Sequence, residues 1–151
     1  MGMFFATIGR FMVAIIFVVS GLSKLEKMTG TSSAELVKQV EPKLDHALNQ
    51  VEKYTGIDVP VKADQYPTLI LAGAVAEIAG GALFFFNLSL GGFALILFLV
   101  GVTPIFHNFW DEEAGSPEQL ENMMHFLKNV SIAGGILAYT AKPIRRKEKN
   151  D

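Results

Sequence analysis

Pro67 to Phe86, PTLILAGAVAEIAGGALFFF, is a run of twenty residues with one charge, Glu77, near its middle. At the α-helical rise it spans about 30 Å, the hydrocarbon thickness of a bilayer. A carboxylate at that depth costs at least about 2.5 kcal/mol, so it must face other helices and find a partner. Gly73 and Gly81 lie four residues either side of Glu77 on one helix face, with Ala72, Ala76 and Gly80 repeating beside them. Small residues at that interval let helices approach closely. The run predicts the central helix of a membrane bundle.

Three further apolar stretches predict spans. Phe4–Leu22 is the first, with Arg10 about two turns in. Its basic residue lies inside the apolar run and not ahead of it, so a cleaved leader is not expected. Leu90 to about Phe106 is the third span, separated from the second by a connection too short for anything but antiparallel neighbours. Pro104 should bend or end it, and His107, Asn108 and Trp110 mark the interface. Met123 to about Thr140 is the fourth, despite Lys128 and Asn129 inside it. Gly134 and Gly135 give it a small face for packing. Ser116-Pro117-Glu118 starts a short helix ahead of it.

Between the first two spans lies a polar stretch. Ser32 and Glu35 read as a capping box, and Leu36, Val40, Leu44, Ala47, Leu48, Val51 and Tyr54 recur at helical spacing. An amphipathic helix over 32–55 is expected, kinked or restarted at Pro42 and stopped at Gly56. Its apolar stripe should lie on the membrane surface or cap the bundle.

The fold class expected is therefore all-α: one membrane domain over 1–151, a four-helix transmembrane bundle with a kinked amphipathic helix in its long first loop. Charged residues are 19% of the chain, below the usual quarter of a soluble domain. The net charge of −2 gives no basis for a nucleic-acid role. With no cysteine, disulfides, thiolate metal sites and thiol redox chemistry are excluded. Four spans put both termini on one side. The basic tail, Lys142, Arg145, Arg146, Lys147 and Lys149, places that side in the cytosol or an organelle's matrix or stroma. Lys149 and Lys147, third and fifth from the end, resemble a dilysine retrieval signal. That implies the endoplasmic reticulum; a tail that only sets topology leaves a mitochondrial or plastid membrane open.

Arg10 and Lys128 are the candidate partners for Glu77, each flanked by small residues on its own face. The cluster reads as a structural ion pair fixing helix register or as a proton-relay or ligand-binding acid. His107 and His125 fall at the ends of adjacent spans. They match no metal motif and read as interfacial side chains with ordinary hydrogen bonds or as ligands of a haem or divalent ion. Phe84 to Phe86 read as lipid-facing or as the wall of a quinone or lipid pocket. No catalytic set and no metal site is recognised.

Four pieces carry a resemblance: GRFMVAIIFVVSGLSKL (Gly9–Leu25), AEIAGGALFF (Ala76–Phe85), TPIFHNFW (Thr103–Trp110) and MMHFLKNVSIAGGIL (Met123–Leu137). Together they resemble the DoxX-like superfamily and, within it, the HR-like lesion-inducing type. The likeness covers nearly all the chain outside about 28–62. It implies a four-helix transmembrane bundle whose recurring charged positions fall on Arg10, Lys24, Glu77 and Lys128. Relatives include quinone oxidoreductase subunits, oxidative-stress complex components, receptor-assembly chaperones and cargo receptors. The expected function is a non-enzymatic accessory, assembly or chaperone-like subunit, with membrane lipids and other membrane proteins as partners and no cofactor. A quinone-linked oxidoreductase subunit and a small transporter are the alternatives.

Overall fold

The computed structural model describes residues 2–141, and side chains from residue 4 onward. The tail that carries the dilysine pattern and the orientation signal lies outside the described residues. Five long helices follow one another: α1 (Gly2–Thr29), α2 (Ser33–Thr55), α3 (Tyr66–Phe85), α4 (Ser89–Phe106) and α5 (Pro117–Thr140). Short 3-10 turns precede α3 and follow α4. No strand occurs among the described residues.

The ends of the helices follow from their residues. Asn87 closes α3 in a left-handed conformation, φ 63°. The Leu88 N–H then reaches back to the Leu83 carbonyl at 2.9 Å, satisfying an otherwise orphaned acceptor. This turn sends α4 back antiparallel along α3. Gly56, φ 67°, ends α2 in the same way. Ser116 caps α5 by accepting from the Gln119 N–H at 3.1 Å, with Pro117 at the first helical position. That start opens the whole of α5 and not a separate short helix.

Two expectations for α2 are corrected. Ser32 makes no side-chain cap bond, so the capping box does not form. The helix also runs unbroken through Pro42, so no second helix begins there.

α3 lies between α1 and α4, and α4 passes the packing on to α5. A Cβ on Gly21 would sit 2.7 Å from the Ala74 carbonyl oxygen, and one on Gly81 would sit 3.1 Å from the Ala14 carbonyl oxygen. The α1 and α3 backbones therefore touch directly. Gly80 and Gly91 do the same for α3 and α4: a Cβ on Gly91 would fall 2.7 Å from the Gly80 carbonyl oxygen. α5 meets α4 at Gly92, under Thr140 and Ile136, and reaches α1 where Tyr139 covers Gly9. The core among these helices is Phe17, Phe84, Leu95, Leu99 and Ile136.

The outside is as apolar as the inside. Phe4, Phe5, Phe11, Met12, Ile16, Val19 and Leu22 on α1 are exposed, as are Leu90, Phe93, Leu97 and Val100 on α4. In water this would be an aggregation liability; in lipid it is the expected outer face. Three segments are long and apolar enough to cross a membrane, Phe4–Thr29, Ala63–Phe85 and Ser89–Asp111. α5 is not among them, because His125, Lys128 and Asn129 lower its hydropathy.

Candidate functional site

Glu77 is 4% exposed, and both its oxygens are occupied. Lys24 donates to Oε2 at 2.5 Å, and Ser20 donates to Oε1 at 3.0 Å. Lys24 also donates to the Ser20 oxygen at 2.9 Å, which closes a three-membered network. Ser20 and Lys24 stand one turn apart on α1, so one helix face delivers both partners. Gly21, between them, brings α1 close enough to α3 for the contact. The charge that burial would make expensive is thus neutralised and fully hydrogen-bonded.

Arg10 is not a partner of Glu77. Gly21 marks the level of Glu77 on α1, and Arg10 lies eleven residues back, about 16 Å along the axis. It instead donates to the Asn87 side chain at 3.3 Å and to Thr7 at 3.2 Å, tying α1 to the α3–α4 turn. The beginning of α1 therefore overhangs that turn. Lys128 does not reach Glu77 either. It donates to His125 Nδ1 at 2.8 Å, on a helix that packs mainly against α4.

His107 and His125 do come together. Their rings stack with centroids 5.0 Å apart and planes 17° from parallel. A ring nitrogen binds a metal in the plane of its own ring, and two near-parallel planes at that separation cannot both contain one ion. The stack therefore does not fit a shared haem iron or divalent ion. His107 Nδ1 is buried without a hydrogen-bond partner. Asn129 donates to Thr103 Oγ1 at 3.2 Å, joining α5 to α4 beside the stack.

Of the small residues proposed for packing, Gly80 and Gly81 lie at the close approaches already described. Gly73 faces the Phe98 ring at ordinary contact distance, 3.6 Å from a built Cβ. Ala76 is half-buried beside Glu77. Among the described residues, Gly134 and Gly135 meet nothing within 4 Å.

Between the Glu77 network and the histidine stack lies a cavity of about 660 Å³. All five long helices line it, with Phe17, Ile70, Phe98, Val102 and Ile132 among its apolar wall residues. Its polar points are Ser20, Lys24 and Glu77 toward α1 and α3, and His107, Lys128 and Asn129 toward α4 and α5. α2 closes one end with Leu36, Val40 and Leu44. Three neighbouring side chains of α2 hold it there. Lys43 donates to the Phe106 carbonyl at 2.9 Å. Asp45 accepts from the Tyr66 hydroxyl, and His46 meets Asp111 at 2.8 Å. Tyr66, almost wholly buried at the start of α3, is marked by no pattern in the sequence.

The family model described as HR-like lesion-inducing matches residues 1–141, including the long first loop. No curated protein and no solved structure matches the chain.

Proposed function

The chain belongs to the HR-like lesion-inducing family, and from that premise we propose that it is a multipass membrane protein acting as a non-enzymatic accessory or assembly subunit of a membrane complex. α5 is the fourth span of this reading. Its outward face continues the apolar belt through Met124, Leu127, Val130 and Leu137. The wider DoxX-like assignment belongs to the same proposal.

One observation carries the accessory role. Ser131, Gly134 and Ala138 lie on the outside of α5, and nothing in the chain meets the glycine. Small residues in lipid give a neighbouring helix somewhere to pack closely. Among the described residues, the glycines of α1, α3 and α4 other than Gly101 are covered by this chain; on α5 Gly134 and Gly135 are left for another helix.

Two residues toward opposite ends of the chain are in contact, the Tyr139 side chain lying over the Gly9 backbone. This supports termini on a common side, which the basic tail would place in the cytosol, matrix or stroma. The quinone-linked and transport readings rest on the cavity.

Purification of the full chain from native membranes in mild detergent tests the proposal. A stoichiometric membrane protein should co-purify, and Gly134→Leu should release it without unfolding the chain. A chain that purifies alone, with a bound quinone or with transport activity in liposomes, would replace the accessory reading by one of its rivals.

A further inference from the structure

We infer that the cavity lined by the five helices is a binding site for an acyl chain with an anionic head group, the head held at Lys128 beside His107. The reading is independent of the accessory role. Three observations lead to it.

The first is size and lining. About 660 Å³ falls within the range of ligand pockets, roughly 300–1,000 Å³. The wall is apolar except at two places, so most of any occupant is hydrocarbon.

The second is charge. Lys24 and Glu77 are spent on each other at 2.5 Å. Lys128, the remaining charged residue in the wall, has no carboxylate within 4 Å among the described residues. Its neighbour His125 offers a neutral acceptor, not a counter-charge. A lysine at the edge of an apolar cavity favours an anion there, because the low surrounding dielectric strengthens the pair.

The third is position. His107 lines the cavity on the same side as Lys128, and stacking on His125 fixes its ring there. The Glu77 network, with Lys24 and Glu77 paired, carries no net charge to attract an anion. The occupant therefore lies with its head at α4 and α5 and its chain toward Phe17, Ile70 and the α2 stripe.

The shared chemistry fits a free fatty acid or one chain of an anionic phospholipid, and competitors separate the two. Dansylated undecanoic acid is titrated into the delipidated full-length protein in a neutral detergent. Saturable binding is expected, displaced by oleic acid but not by oleyl alcohol. Displacement by phosphatidylglycerol as well, but not by phosphatidylcholine, assigns the site to the phospholipid. Lys128→Met should weaken binding roughly ten-fold or more, the worth of a lost charge-assisted contact. His107→Phe should weaken it less. Val40→Trp, which fills the cavity from α2, should abolish binding while the protein stays monodisperse. Equal displacement by acid and alcohol, or unchanged affinity in Lys128→Met, overturns the anionic head. Binding undiminished in a folded Val40→Trp overturns the cavity as the site.

Discussion

The two ends of this molecule are built differently. Where the chain turns from α3 to α4, backbones touch: Gly81 lies on Ala14, Gly91 on Gly80 and Phe84, and Gly92 beneath Thr140. At the other end α1 still touches α3 at Gly21, but the remaining helices stand apart around a cavity of about 660 Å³, and polar side chains do most of the joining. Glycine-mediated contact needs no directional bond and tolerates no added atom. The open end uses ion pairs and hydrogen bonds, which hold specific atoms while leaving space between helices. The first arrangement fixes the bundle, and the second leaves room for a ligand.

The sharpest way to break this contrast is to add one methyl group at each end. A Cβ on Gly91 would overlap the α3 backbone at Phe84 and Gly80, which cannot move aside without displacing α4. Gly91→Ala should cost about 3 kcal/mol or more. Gly73, four residues before Glu77, has only the Phe98 ring at 3.6 Å. Gly73→Ala should be tolerated and gain up to about 1 kcal/mol, since 3.6 Å is ordinary van der Waals contact and alanine favours the helix. Unfolding by SDS in mixed micelles measures both. Similar costs at the two positions would remove the distinction between the ends.

The Glu77 network offers an asymmetric test. Lys24→Met leaves a carboxylate 4% exposed with Ser20 as its only remaining partner, and should cost about 3 kcal/mol, as removal of one partner of a buried pair does. Glu77→Gln leaves a lysine whose side chain is 36% exposed, and a long stem can carry its ammonium outward. The loss should be about 1 kcal/mol, measured in the same assay. If Glu77→Gln proves the costlier change, Lys24 is not the residue that makes the buried acid tolerable.

Much of this architecture is legible in the sequence. The apolar runs locate α1, α3 and α4, and the shortness of the Asn87 connection makes α3 and α4 antiparallel. Glu77 announces a buried contact by its depth alone. Its partner is harder to read. Lys24 falls beyond the apolar run ending at Leu22, where a lysine looks solvated, yet α1 continues to Thr29. The available signal was the family resemblance, which marks Lys24 together with Glu77. Arg10 is not legible as a partner of Asn87 because tertiary packing, and not the position of a charge in its own apolar run, sets the register between helices. The cavity left no trace in any local pattern, since residues from five helices enclose it. The amphipathic stripe of α2 did announce a cover, although not which surface it would close.

α2 can be loosened at one atom. Tyr66→Phe keeps the ring in its buried place and removes the hydroxyl that donates to Asp45. A hydrogen bond to a charged acceptor contributes about 1.5–3 kcal/mol, but Lys43 and His46 still hold α2. The expected global loss is about 1 kcal/mol. Amide hydrogen exchange should quicken in α2 around Leu36–Leu44 while α3 and α4 near Gly80 and Gly91 remain protected. Equal acceleration at both ends would mean that they open as one unit.

The smallest effect concerns a glycine that this chain does not use. Nothing lies within 4 Å of a Cβ built on Gly134, and the residue sits well inside α5. Alanine there adds no clash and reduces the backbone entropy lost on forming the helix. Gly134→Ala in the isolated protein should therefore raise stability, by about 0.5–1 kcal/mol. The sign carries the information. At Gly91 the same substitution is expected to be severe because another backbone already occupies the space. At Gly134 a gain means the face is vacant within one chain, as a surface reserved for a different helix requires. A loss of stability in the purified monomer would mean that α5 already packs there, and the outward face would no longer be available to a partner.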